Sequence, residues 1–531
     1  MNRKNKSKKS KSSRSRSQSL FAEIGDENDE SSGEQMYQIK TSKIMGRYMV
    51  ATKDIKPGQL IIKEEPLVVG PCTACKVQCL GCYITLENTI NFVKCANCGW
   101  PLCATTCPGY HKKHGHTQLE CSILKECKSA SFLNYDDVQS MRAHFQTIVP
   151  LRCLLLKTTD PSVFNSIMDM ESHNEIRKHI PEVWNGNETY VVNRIIKDWG
   201  LTEFTSGEIH TICGILEVNC FEIGQQGINI RGLYPTAFLM SHDCVPNTNH
   251  SDEEVNYKLT VRASTPILEG QPITLSYAYT LQNTMKRREH LLDNKFFECC
   301  CARCSDPKEL GAYTSALYCP KCERGIVLAD NALNIETTWS CTSKNIGKCT
   351  GYTISAKSMK LLIERVTEEV DNIDCNDIPG MEAFLDKYRN VLYPTHYINL
   401  GVKISLSQLY GKIDNYLIYE MPETLLERKI SLCKELMEIF DIIEPGYTRI
   451  RGVTLYELHA PLMIILTRQF EKNALSKYEL KTRLREVVKC LVEASLILCN
   501  EPKSSPEGMM GIAAKQALLQ IKDWENIVGK I

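Results

Sequence analysis

The chain lacks any run approaching the ~18 consecutive apolar residues of a membrane-spanning helix. A membrane-spanning helix is therefore not expected. No apolar stretch follows its polar, basic N-terminus, so a secretory signal is not expected there. It also lacks net charge. Its 531 residues carry 63 Lys and Arg against 63 Asp and Glu, so the whole protein is no obvious polyanion binder. Tryptophan is scarce at five residues. Hydrophobic residues make up 43% and charged residues 24%, ordinary for a globular protein, and the length calls for two to four domains. The neutrality hides an uneven distribution. Residues 1–19 hold eight basic residues and no acid, which leaves 55 basic against 63 acidic residues for the rest.

What the chain has in abundance is cysteine, with 26 residues. In a large chain without an export signal, clustered cysteine points to metal rather than to disulfides. Residues 1–36 show no apolar periodicity and are expected to be a disordered basic and acidic tail, serving either as a nuclear address or as a solubilising segment. Residues 37–70 have β-branched runs broken by Lys56-Pro57-Gly58, the pattern of strands joined by a turn. Residues 128–215 are expected to be helical: Val191, Val192, Ile195, Ile196 and Trp199 are spaced for one helix face, as are Ile209, Ile212, Ile215 and Leu216. Short strands are expected to return between Gly232 and Tyr279. Beyond about 355 amphipathic helices are expected, among them one with Leu484, Val487, Val488, Leu491 and Ala494 on one face. They suggest stacked helical hairpins, although no fixed repeat is visible.

The spacing Cys79-x2-Cys82, Cys95-x2-Cys98, Cys103-x3-Cys107 and His116-x4-Cys121 provides four ligand pairs, enough for two tetrahedral zinc sites. A module of about 45 residues has too little apolar material for its own core, so metal would supply its folding energy. Cys72 and Cys75 precede it without a second pair and are read as structural or incidental. Farther on, Cys299, Cys301 and Cys304 form a C-x-C-x2-C triplet that wants a fourth thiolate, and Cys244 is available. A last group, Cys319-x2-Cys322 with Cys341-x7-Cys349 around Trp339, would enclose a further zinc, the alternative being free thiols. None of these sites offers an open coordination position, so all are structural.

The order of pairs between 79 and 121 resembles a MYND finger. By that resemblance Cys79, Cys82, Cys103 and Cys107 hold one zinc, and Cys95, Cys98, His116 and Cys121 the other. The finger's last spacer is one residue longer than usual, which leaves His111 and His114 as alternatives to His116. Together with Gly46-Arg47, Gly232-Leu233-Tyr234-Pro235, Ser241-His242-Asp243-Cys244-Val245-Pro246-Asn247, Ile273-Thr274-Leu275-Ser276-Tyr277 and Phe297-Glu298-Cys299-Cys300-Cys301-Ala302-Arg303-Cys304, the chain resembles the SET and MYND domain-containing (SMYD-type) protein-lysine methyltransferases. Segments such as 392–397, 451–459 and 505–511 look like an arthropod-type branch.

The resemblance implies an α+β fold, a β-rich SET domain split by the finger and followed by a helical, TPR-like C-terminal lobe. The implied divisions are a tail at 1–36, the SET N-terminal part at 37–78, the finger at 79–121, a helical insert at 122–215, the SET core at 216–280, a post-SET cysteine-rich segment at 281–350 and the helical lobe at 351–531. It implies methyl transfer from S-adenosylmethionine to a lysine of a histone or other protein. Tyr277 is the implied catalytic residue, with Tyr279 its neighbouring candidate. Arg47, Asn219, Ser241, His242, Tyr277 and Phe297 are the implied cofactor residues, and Asn247 braces the strand crossing. The finger would bind proline-containing peptides or brace its neighbours, and in some relatives it is thought to touch DNA. A monomer in the nucleus, the cytoplasm or both is expected, with no membrane partner. Two departures favour a second reading, a catalytically weak scaffold that recruits partners. Ser241 stands where the family usually has an Asn. Tyr48 stands where the family has a second glycine, and a bulky residue there would be strained if φ were positive.

Overall fold

The computed structural model describes residues 35–528 except 87–91, 136, 225–227, 323–324, 344–346 and 348. The tail expected at 1–36 falls almost wholly outside the described residues. Among the described residues no helix is long and apolar enough to cross a membrane.

The expected strands in the N-terminal part are present. Tyr37–Ser42 and Gly46–Ala51 form an antiparallel hairpin whose turn closes at Gly46, with φ +63°. Tyr48 lies inside this hairpin opposite Lys40, and its φ is not positive. The expected strain at Tyr48 is therefore absent, because an extended strand accepts any side chain. Strand Leu60–Glu64 pairs with Leu259–Ala263, which pairs with Thr248–Asp252. Strand Val68–Pro71 pairs with Ile230–Leu233, which pairs with Phe221–Ile223. Each sheet thus draws strands from both sides of a long intervening segment. Their inner faces share a core of Met49, Ile62, Val69, Tyr234, Val261 and Ile273.

The intervening segment builds a second core, which Val68 and Leu233 of the paired strands also enter. Trp100 of the cysteine-rich module is fully buried; its ring meets Phe145 and Trp199 edge-on, and its Nε1 donates to Ser129 Oγ at 2.8 Å. Helices Gln118–Glu126, Ile148–Thr159 and Ser206–Asn219 contribute Leu124, Ile148, Leu151 and Ile209 to the same core. The helix expected around Val191 to Trp199 is wound more widely, as π-helix over Glu188–Val192 and Arg194–Asp198. Val191, Val192, Ile195 and Trp199 are still buried, so the apolar pattern survives the change of winding. Helices also cross two of the expected divisions, since Gln118–Glu126 spans 121/122 and Ser206–Asn219 spans 215/216.

Farther along, Leu317–Tyr318, Ile326–Ala329, Trp339–Cys341 and Thr353–Ile354 make a four-stranded antiparallel sheet. It runs past residue 350, the expected end of the cysteine-rich segment. The expected C-terminal helices follow, including Glu423–Ile443, Arg449–Glu471, Lys477–Leu498 and Pro506–Val528. Ser476 caps Lys477–Leu498 in a reciprocal capping box with Glu479. Leu484, Val487, Val488, Leu491 and Ala494 are all buried between helices.

Candidate functional site

Four tetrads of ligand atoms assemble, each with all its atoms within 4.8 Å of one another: Cys79, Cys82, Cys103 and Cys107; Cys95, Cys98, His116 and Cys121; Cys244, Cys299, Cys301 and Cys304; Cys319, Cys322, Cys341 and Cys349. The spacing within them tests the fit to zinc. Tetrahedral Zn–S bonds of ~2.3 Å place sulfurs about 3.8 Å apart. The Sγ pairs stand at 3.5 Å (Cys79–Cys107), 3.5 Å (Cys82–Cys103), 3.6 Å (Cys95–Cys121), 3.9 Å (Cys244–Cys299), 3.8 Å (Cys319–Cys349) and 3.7 Å (Cys322–Cys341). These separations are far longer than a disulfide of ~2.05 Å and fit a shared tetrahedral ion. Cys72 and Cys75 are buried outside every tetrad.

The structure chooses among the histidines. His116 Nε2 faces Cys98 Sγ at 3.2 Å, while its Nδ1 contacts Glu120 Oε1 at 2.6 Å. Glu120 in turn accepts from Arg152. A carboxylate behind the ligating ring fixes its tautomer and orientation, the usual support for a metal-bound histidine. In the other half of the finger, chain segments touch closely: a Cβ on Gly109 would lie 2.0 Å from the Gly81 carbonyl oxygen. Gly109→Ala is expected to cost the protein one zinc, the one held by Cys79, Cys82, Cys103 and Cys107. Metal analysis of the purified variant checks this, and an unchanged metal content would refute it.

A second centre lies where the segment after Met240 passes beside the strand leading to Tyr277. Ser241–His242 pairs in parallel with Thr274–Leu275. Asn247 braces the crossing: its Nδ2 donates to Pro272 O at 2.8 Å, and its Oδ1 accepts from Thr274 N at 2.8 Å. The Tyr277 hydroxyl donates to Met240 O, and burial pushes its phenol pKa upward, so it stays protonated. His242 lies between Tyr277 and Phe297, with ring centroids 5.3 and 5.9 Å away. Its Nδ1 accepts from Tyr277 N at 2.9 Å, which puts the proton on Nε2, 3.2 Å from Cys244 Sγ. Burial pushes this imidazole down to about 4, so it is neutral.

His242 is expected in the cofactor wall. Both ring nitrogens are engaged in tying Tyr277 to the cysteine site, which leaves only the ring faces and edge for a wall. Asn219, at the end of helix Ser206–Asn219, is also partly committed. Its Nδ2 donates to Glu171 O and Ile215 O, both at 2.8 Å. Arg47 is exposed and holds the same loop: its Nη1 donates to Asp169 Oδ2 at 2.6 Å and its Nη2 to Asp169 O at 2.7 Å. Tyr279 is 60% exposed and lies beside Glu444 of the helical lobe, outside the ring cluster around His242.

Two groups of residues therefore emerge, Arg47 with Asn219 on the 169–171 loop, and Ser241, His242, Tyr277 and Phe297 at the crossing. The three residues Lys295 to Phe297 link them. Lys295 Nζ donates to Glu217 O at 2.8 Å and Val218 O at 3.1 Å, capping the helix that carries Asn219. Phe296 meets His173 edge-on, and Phe297 faces His242. Sequence reading missed Lys295. A lysine beside an aromatic pair carries no signal until the fold brings two unpaired helix carbonyls to its amine.

The split sheets, the parallel pair beside Tyr277 and the closing cysteine site define a SET-domain protein, and residues 46–278 match the SET domain family model. That match encloses the two-site finger, so the finger interrupts the domain rather than preceding it. SET domain-containing protein SmydA-8, isoform A, of Drosophila melanogaster is 29% identical over 351 residues, covering 62% of this chain and 69% of that protein. A SET and MYND domain-containing protein of Dictyostelium discoideum is 24% identical over 341 residues, 53% of this chain and 86% of that protein. Histone-lysine N-methyltransferase SMYD3 of Mus musculus is 26% identical over 278 residues, 50% of this chain and 60% of that protein. The chain thus carries a match to the SET domain over residues 46–278 and is similar to SET and MYND domain-containing proteins and histone-lysine N-methyltransferases.

Proposed function

We propose that this chain is a protein-lysine N-methyltransferase that uses S-adenosylmethionine. The observation that carries the reading is the Tyr277 hydroxyl, locked onto Met240 O beside the aromatic faces of His242 and Phe297. S-adenosylmethionine, when bound, supplies a methyl group already activated on a sulfonium. The chain then has to align a lysine amine and keep water away. With its proton given to Met240 O, the Tyr277 oxygen has lone pairs left to accept an N–H of the substrate amine and orient it. The rings of Phe297 and His242 provide the apolar wall a lysine stem and a cationic centre favour. Arg47, Asn219, Ser241 and Phe297 are the residues we assign to the cofactor. Two residues beyond Tyr277, a cavity of about 340 Å³ opens between Tyr279 and the helical lobe, lined by Glu444, Arg449 and Glu507. We assign the protein substrate, histone or otherwise, to this side. We place in the same proposal a finger that meets proline-containing peptides or DNA from outside, a monomeric protein, and residence in nucleus or cytoplasm.

A catalytically weak scaffold is the second reading, and the pairing of Arg47 with Asp169 favours it, since that guanidinium already has a carboxylate. Calorimetric titration of the zinc-loaded protein with S-adenosylmethionine separates the two. Micromolar binding is expected, and Tyr277→Phe is expected to retain it while methyl transfer falls by about 10²-fold, the usual cost of a misplaced reactant. No binding at millimolar cofactor would sink the enzyme reading.

A further inference from the structure

A cavity of about 390 Å³ opens where three parts of the chain meet: helix Thr284–Lys295, the cysteine-bearing sheet, and the first helix of the lobe, Ala356–Asp371. Its apolar lining comes from Met285, Ile335, Trp339, Met359 and Ile363. None of the cavity's lining residues belongs to the Tyr277 cluster or to a cysteine tetrad. The size is that of a site for a small organic molecule.

One polar group at the cavity lacks a partner. His396 lines it and is 0% exposed. Its Nδ1 accepts from the Ile398 N–H at 3.4 Å, so the ring proton sits on Nε2. That Nε2 is buried, and among the described residues nothing accepts from it. A buried donor left unpaired is expensive, and in a native structure it calls for an acceptor at that place.

The walls say what kind of molecule would bring the acceptor. Three lysines (Lys286, Lys357, Lys360) face three glutamates (Glu289, Glu336, Glu364) around the cavity. Lys286 pairs with Glu289 at 3.9 Å and Lys360 with Glu364 at 4.0 Å. The wall therefore carries no net charge to hold an ion. Burial also keeps His396 neutral, its imidazole pushed down to about 3, so it offers a dipole and not a charge. A buried anion without a charged partner would be costly, whereas a carbonyl oxygen is not.

We propose that this cavity is a binding site for an uncharged, largely apolar small molecule bearing one carbonyl-type acceptor, which His396 Nε2–H holds. The inference is independent of the methyl-transfer reading, because it shares no residue with that site.

Benzophenone is a suitable probe for the full-length, zinc-loaded protein. It has two apolar rings and one carbonyl, and on illumination it inserts into nearby C–H bonds. Calorimetry is expected to show one saturable site, and peptide mass spectrometry to find adducts on Met285 or Met359. Diphenylmethane keeps the rings and lacks the oxygen, so it is expected to bind about tenfold more weakly, the value of one such hydrogen bond. Ile363→Trp, which fills the cavity, is expected to abolish binding and adducts while zinc content stays unchanged. The comparison of the two probes needs no altered protein and stands even where the variant fails to fold. No saturable binding, adducts confined to other segments, or equal affinity for the two probes would each overturn the proposal.

Discussion

Exhaustive chelation is expected to unfold the finger and release the end of the SET core, with loss of cooperative unfolding for the region from Leu80 to Cys304. The reason is how little else holds these segments. Eight ligands sit within 43 residues of the finger, where the burial available to so short a module cannot offset its chain entropy. Structural zinc in small modules contributes about 10–16 kcal/mol of apparent binding energy near neutral pH, and that energy is folding energy. The site of Cys244, Cys299, Cys301 and Cys304 has a wider reach. Cys244 follows the His242 that holds Tyr277, so loss of this ion frees one side of the Tyr277 cluster. Sequence spacing predicts three or four ions; the four tetrads at tetrahedral separations predict four. Elemental analysis counts them, and thermal unfolding before and after chelation reads the stability. Two or fewer ions per chain, or an unfolding transition unchanged by chelation, would contradict this.

Glu309→Gln is expected to destabilise the fold by about 3–5 kcal/mol, the cost of breaking a buried charge pair by removing one partner. Glu309 Oε2 accepts from Arg287 Nη1 at 3.0 Å and lies 3.1 Å from Arg303 Nη2, and all three side chains are 0–1% exposed. An exposed pair at the same distance would contribute about 0–1 kcal/mol. The two arginines also brace the neighbouring cysteine site. Arg303 Nη1 donates to Cys244 O at 3.3 Å, and Arg287 Nη2 to Cys304 Sγ at 3.6 Å. Burial alone would raise the Glu309 carboxyl, but Arg303 and Arg287 outweigh it and hold the pKa below its ordinary 4.5. For such a depressed acid the stabilisation is complete above the ordinary value and is lost as pH falls through the folded one. The variant is therefore expected to lose the part of the acid sensitivity that wild type shows below about pH 4.5. Urea midpoints of both proteins between pH 3 and 7 measure it. A difference under about 1 kcal/mol at pH 7 would mean that the arginines find other partners.

How far each feature could be read in advance follows from the range of the interaction behind it. Metal ligands were legible because chelation is largely local. A C-x2-C turn presents two thiolates whatever surrounds it, so the finger's pairs and the 299–304 triplet could be picked out by counting. Choosing His116 over His111 and His114 needed more, namely Glu120 and Arg152 behind its ring. The strand runs at 37–70 and the helix face from Leu484 to Ala494 were legible for the same local reason, since side-chain period follows backbone geometry. The winding at 188–198 was not, because apolar spacing there suits α- and π-turns nearly alike.

Sequence motifs and their spacing thus carried the family resemblance, the cysteine pairs of the candidate zinc sites and the order of parts, while the histidine ligand stayed open. The remainder depended on contacts between residues far apart in the chain. Leu60–Glu64 finds Leu259–Ala263 across about 200 residues, and nothing local encodes that register. Tyr48 is free of backbone strain because its partner strand keeps it extended. His242 has both nitrogens in use because Cys244 and Tyr277 converge on one ring from two segments. Lys295, the Glu309 cluster and the orphaned His396 donor are polar groups whose meaning is set by burial and by who else is buried with them. Spacing along the chain carries no record of either, so only the folded arrangement decides what those side chains do.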